Sequence, residues 1–146
     1  MMKDHRQTAL PLEKMYVAGR LPLNKVVSGL FTLYLLAVLA SALIPLGGFS
    51  VSMSDTKVVD LVRMDYLLHT LLFIPLFPLW KLIRPHLAWW FLLPAAVLIA
   101  VAAELIHLYI PYRGFNINDL LWNVAGVFLG SLLYRPLRRL IIRVFG

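Results

Sequence analysis

The sequence predicts an all-α integral membrane protein: four transmembrane helices, then a short interfacial amphipathic helix at the C-terminus. Three observations carry that expectation. Hydrophobic residues make up 61% of the chain and charged residues 14%, against about 45–50% and about 25% in soluble domains. Four apolar stretches have roughly the 20 residues that a helix needs to cross hydrocarbon. The basic residues lie between those stretches rather than within them. A length of 146 residues fits one domain.

Residues 1–25 read as a cytoplasmic tail. Lys3, Asp4, Arg6, Glu13, Lys14 and Arg20 leave no apolar core of signal-peptide length. Residues 26–134 form the four-helix membrane domain. The first span, residues 26–46, is broken only by small or hydroxyl residues and ends at Pro45, Gly47 and Gly48. A polar loop over residues 49–60 leads to the second span, residues 65–80. Pro75 and Pro78 predict a kink or an early stop there, because proline lacks the donor a helix requires. The third span, residues 87–110, opens with Trp89 and Trp90, which suit a membrane interface, and Pro111 stops it. The fourth covers residues 118–134. Pro136 is expected to break it, and residues 135–146 to form a basic amphipathic helix lying on the membrane. In that helix Leu137, Leu140, Ile141 and Val144 would oppose Arg138, Arg139 and Arg143.

The net charge of +7 invites a nucleic-acid reading, but the bases form no single patch. Eleven of the fourteen Lys and Arg fall in the tail, in the connector with Lys81 and Arg84, and in the C-terminal segment. Lys57, Arg63 and Arg113 occupy the other two loops. This asymmetry predicts a multi-pass protein of the cytoplasmic (inner) membrane with both termini inside. Anionic lipid headgroups are the expected partners of the basic segments, and no nucleic acid is. The chain has no cysteine, which excludes disulfides and thiolate chemistry. His69, His107, Glu104, Asp65 and Asp119 are chemically able to ligate a metal. The di-metal carboxylate bundles, however, need two Glu-x-x-His copies, and only one is present, so no metal or other cofactor is expected.

Given that topology, the polar residues inside spans share the outer half of the membrane. A charged side chain at mid-bilayer costs about 2.5–3.5 kcal/mol, so such residues are functional hypotheses by default. Asp65 and His69 lie four apart on one helix face, and Glu104 and His107 lie three apart on another. Asp119, Asn123, Gly126 and Gly130 form one stripe of the fourth span, a small-residue pattern that brings helices close. Ala96, Ala100 and Ala103 flank Glu104 and His107. These residues are expected to converge on one another rather than face lipid.

The run Glu104-Leu105-Ile106-His107, then Ile110-Pro111-Tyr112-Arg113, then Asn116, Asp119, Asn123 and Gly126, resembles the VanZ-like family of small membrane proteins. That family's pattern is Glu, Gln three later, an apolar-Pro-Gly-Arg turn, then Asp, Asp, Asn and Gly. Asp65 and His69 resemble its other motif. His107, Tyr112 and Asn116 depart from the pattern, standing where Gln, Gly and Asp are usual. The resemblance implies the fold, the topology and a polar site. It also implies a cell-envelope role linked to lowered sensitivity to the glycopeptide antibiotic teicoplanin.

Two functions follow as expectations. In the first, an outward-facing polar pocket binds or modifies an envelope lipid or a lipid-linked cell-wall component. Arg113 would grip a phosphate, Asp65, Asn116, Asp119 and Asn123 would help bind the ligand, and Glu104, His69 and His107 are the proton-transfer candidates. In the second, the chain is a non-enzymatic accessory or assembly subunit of a larger membrane complex, docking through its Gly and Ala surfaces. For Glu104 with Arg113, and for Asp65 with His69, purely structural pairing stands beside the functional reading.

Overall fold

The computed structural model describes residues 16–17, 21–43, 57–59 and 62–145. Most of the tail and most of the polar loop, with Asp55 and Asp60, lie outside the described residues. Two short antiparallel ladders are present. β1 (Tyr16–Val17) pairs with β2 (Leu21–Pro22), and β3 (Lys57–Val59) pairs with β4 (Val62–Arg63). Most of the other described residues are helical, and four helical units are long and apolar enough to cross a membrane.

α1 (Leu23–Leu43) presents Leu23, Val27, Phe31, Tyr34, Val38 and Ala42 to the bundle. Their spacing of three to four residues is the period of one helix face. Leu30, Leu33, Leu36 and Leu39 are exposed, as a helix bathed in lipid requires. Tyr34 donates its hydroxyl to the Leu72 carbonyl at 2.8 Å, and Phe31 stacks on Trp80, which ties α1 to the second crossing.

That crossing is two helices, α2 (Met64–Phe73) and α3 (Leu76–Ile83). The break falls where proline was expected to put it. Pro75 has no N–H for the Leu71 carbonyl, and Pro78 has none for the Ile74 carbonyl. The ladder closes at Ile74 N–H to Thr70 O (3.1 Å) and resumes at Leu79 N–H to Pro75 O (3.1 Å). At the far end Lys81 is buried, and its ammonium donates to the carbonyls of Pro85 (2.9 Å) and Leu87. It thereby holds the connector in place.

α4 (Trp89–Leu105) tightens into a 3-10 turn over Ile106–Tyr109 before Pro111. Trp90 is exposed, whereas Trp89 packs with Phe77 and Tyr134. α5 (Ile117–Phe145) is the longest helix, at 29 residues, and corrects one expectation. It runs through Pro136 without a break. A proline costs the ladder one bond, here to the Leu132 carbonyl, and bends a helix more often than it ends one when flanking turns are held. Leu137, Ile141 and Ile142 pack against the core and hold those turns. Leu140 and Val144 are exposed, as side chains turned toward lipid would be. At 1.5 Å per residue, 29 residues span about 44 Å, beyond the roughly 30 Å of hydrocarbon. The excess carries Arg138, Arg139 and Arg143.

α5 packs against α2 and α3 through its glycines. A Cβ on Gly126 would fall on the Thr70 carbonyl oxygen, and one on Gly130 on the Ile74 carbonyl oxygen. The second carbonyl is the one that Pro78 leaves without a helical donor. Backbones can come this close only where no side chain intervenes. Ala96 and Ala100 of α4 are fully buried. The small-residue surfaces are thus covered within this chain.

Candidate functional site

The polar residues gather at one end of the bundle, where α1 ends, α2 begins, α4 ends and α5 begins. Among the described residues all carboxylate side chains (Asp65, Glu104, Asp119) lie there. Lys81, Arg84, Arg135, Arg138, Arg139 and Arg143 lie toward the other end.

Two groups of contacts form. In the first, His69 of α2 turns both ring nitrogens toward α5. Its Nδ1 sits 2.9 Å from Asn123 Oδ1, and its Nε2 sits 3.7 Å from Asp119 Oδ2. Asn123 is 1% exposed. Because its Oδ1 can only accept, the bond requires Nδ1–H on His69. Nε2 of the neutral ring then faces the Asp119 carboxylate as an acceptor. Protonation at Nε2 would turn that contact into an ion pair. Beside His69, Thr70 Oγ1 donates to the carbonyls of Trp122 (3.2 Å) and Tyr66 (3.0 Å).

In the second group, Glu104 is fully buried. Its Oε1 accepts the Asn116 N–H at 3.0 Å and lies 3.3 Å from His107 Nδ1. His107 sits in the 3-10 turn, which carries its ring under the end of α4. Glu104, His107, Ala100 and Ala96 share one buried stripe, as their spacing predicts.

The first turn of α5 joins the two groups. Asn116 caps it: its side-chain Oδ1 accepts the Asn118 N–H at 3.0 Å, and its carbonyl takes the Leu120 N–H at 3.1 Å. Short polar side chains are preferred at this position because they satisfy an orphan helix donor. Asp119 follows three residues later in the first turn, where a negative charge is favoured by the helix dipole. Glu104 therefore sits against the positive end of α5. Replacing Asn116 with Ala is expected to lower stability by about 1 kcal/mol, and with Asp or Ser to restore most of it. Denaturant unfolding in detergent measures this.

Arg113 is placed differently from the sequence expectation of a pair with Glu104. Its Nη2 donates to the Ser41 carbonyl at 2.7 Å, and the Tyr112 hydroxyl donates to the Leu43 carbonyl. The loop between α4 and α5 thus caps the C-terminus of α1, where the last carbonyls lack helical donors and a cation complements the dipole. Asp65 lies in the first turn of α2, and its Oδ1 accepts the Tyr66 N–H at 3.1 Å. Sequence reasoning missed Thr70, Tyr112 as a capping residue, and the stacked Tyr66–Trp122 pair (5.9 Å). Thr70 could have been found as the residue next to His69 on the helix that meets the glycine stripe.

No group of three or more His, Asp or Glu among the described residues is arranged to hold a metal ion. Among the described residues, the buried polar atoms without a hydrogen-bond partner include Glu104 Oε2 and His107 Nε2. The contacts can therefore orient two imidazoles against carboxylates and still leave polar atoms for a ligand.

No curated protein and no solved structure matches the chain. The family model described as VanZ/LLP1 matches residues 31–142, a stretch that holds the glycine stripe, both histidine pairs and the capping loop. With four helices able to cross a membrane and this match over most of its length, the chain is a membrane protein of the VanZ/LLP1 family.

Proposed function

We propose that the polar end of the bundle faces outward at the cytoplasmic membrane and binds or modifies an envelope lipid or a lipid-linked cell-wall component. One observation carries this reading: charged and amide side chains from three helices meet at a single end, with the buried Glu104 Oε2 and His107 Nε2 still unsatisfied. A bundle that used polar residues only as packing glue would satisfy them internally. The Lys and Arg distribution supports placing that end outside and both termini inside. Amphipathic lipids present their headgroups at this depth. Arg113 belongs to the reading although its Nη2 caps α1 at the Ser41 carbonyl, because it places a permanent positive charge at the polar end. A guanidinium's planar fork suits a phosphate. His69 and His107 are the groups able to move a proton.

The alternative is an accessory or assembly subunit that docks through its Gly and Ala faces. It is disfavoured because Gly126, Gly130, Ala96 and Ala100 are already covered within the chain.

Mass spectrometry of lipids retained by gently purified protein tests the proposal. A phospholipid or polyprenyl phosphate is expected to co-purify in near-stoichiometric amount. Glu104→Gln and Arg113→Lys should each lose it while inserting and folding normally. If both variants keep the lipid, or lose it only in proportion to lost stability, the cluster is packing and the proposal fails.

A further inference from the structure

Glu104 and His107 have side-chain exposures of 0% and 8%. Each nevertheless presents a polar atom without a hydrogen-bond partner, Oε2 and Nε2 respectively. Orphaned buried polar atoms are rare in native proteins and call for an explanation. Their parent groups meet at 3.3 Å through Oε1 and Nδ1, so the two orphans belong to one contacting pair.

The proton inventory decides which group fits. Two arrangements leave the pair without an uncompensated buried charge, and both can be enumerated. In one, Glu104 is ionised and His107 carries both N–H protons. Oε2 is then an acceptor, and Nε2–H is a donor. In the other, Glu104 is protonated and His107 is neutral. Oε1 already accepts the Asn116 N–H, so the carboxyl proton sits on Oε2, which donates. Nδ1–H faces Oε1, and Nε2 accepts. Both arrangements give the same result: one orphan is a donor and the other an acceptor. An ammonium offers only donors, and a phosphate oxygen only accepts. An alcohol hydroxyl does both.

We propose that Glu104 and His107 form a hydroxyl-binding subsite that takes the polyol part of a lipid headgroup. This rests on the reading of the polar end as a headgroup site. It adds that the buried pair recognises the uncharged hydroxyl portion, while the phosphate lies nearer Arg113. His69, held by Asn123 and Asp119, is a separate unit.

The test uses full-length protein in detergent and two lipids with identical acyl chains and identical phosphodiester charge, phosphatidylglycerol and phosphatidylmethanol. Only the first has headgroup hydroxyls. Native mass spectrometry or a fluorescence titration is expected to show phosphatidylglycerol binding about tenfold tighter, the scale of a buried hydrogen bond to a charged group. His107→Leu and Glu104→Leu should each abolish the preference, so that phosphatidylglycerol binds no better than phosphatidylmethanol, in protein that still elutes as the folded species on size-exclusion chromatography. His107→Gln retains a donor and an acceptor and should keep most of the preference. Equal binding of both lipids by the wild type overturns the hydroxyl subsite and leaves the headgroup site standing. Preference surviving in the Leu variants overturns the subsite as well. Binding of neither lipid overturns the headgroup reading and the subsite with it.

Discussion

Alanine at Gly130 or Gly126 is expected to destabilise the bundle by at least about 1–3 kcal/mol. The cause is local and specific. A methyl on Gly130 would fall on the Ile74 carbonyl oxygen, and one on Gly126 on that of Thr70. Neither obstacle is the flexible end of a side chain. Both are backbone, Thr70 in the last turn of α2 and Ile74 in the turn that follows it. Relief requires α5 to move off the second crossing, which also loosens the contacts of Val127, Phe73 and Phe77, all 1% exposed or less. Gly29 supplies the control, because nothing lies within 4 Å of a Cβ built there. Gly29→Ala should be neutral or stabilising by up to about 1 kcal/mol, since alanine is the better helix former. Unfolding in detergent, followed by the fluorescence of the four tryptophans, separates the cases. Equal stability of Gly130→Ala and Gly29→Ala would show that α5 does not approach α2 and α3 as described. The same shift moves Asn123 and Asp119 away from His69, so both glycine variants should also lose bound lipid.

Glu104→Ala should be the most damaging change at the polar end, costing about 3–5 kcal/mol. Removing one member of a buried pair leaves the other without its compensating group. Here Ala would strand His107 and withdraw the acceptor of the Asn116 N–H. The loss therefore reaches the start of α5 as well as the end of α4. A double-mutant cycle with Glu104→Leu and His107→Leu isolates the pair. Replacing both members by apolar groups of similar volume is often close to neutral, so the double variant should be more stable than Glu104→Leu alone. The expected coupling is on the order of 1–3 kcal/mol. Additive losses would mean that the imidazole and the carboxylate do not interact, whatever their separation. Stability recovered in the double variant should not bring back ligand binding, and that contrast distinguishes a site from glue.

The crossings were legible in the sequence because apolar length and the prolines at 75, 78 and 111 are strong local signals. The glycine and alanine stripes were legible because helical periodicity converts spacing into a face. The shared face of Glu104 and His107 followed from the same periodicity, whereas the pairing of His69 with Asn123 did not, because it joins residues 54 apart. What was not legible depends on bonds between distant segments. Nothing near Arg113 announces that its guanidinium will reach the Ser41 carbonyl, 72 residues away, and Glu104, nearer in sequence, was the natural partner to expect. Asn116 was read as a ligand residue because it stands in a motif. In the fold it caps α5, a role that its place just before Ile117 would have supported. Pro136 was overweighted. A lone proline breaks a helix when its neighbours are free, and Leu137, Ile141 and Ile142 are packed.

Everything proposed for this protein requires the polar end to lie on the extracytoplasmic side. Gly114 tests that directly: it sits in the loop between the 3-10 turn and α5, a Cβ there meets nothing within 4 Å, and the chain contains no cysteine of its own. A Gly114→Cys variant in intact cells should react with a membrane-impermeant maleimide without permeabilisation. A cysteine at Arg139, near the other end, should react only after the membrane is opened. The reverse pattern, with Gly114→Cys protected until lysis, would put the His69 and Glu104 groups beside the cytosol and contradict the envelope-facing site.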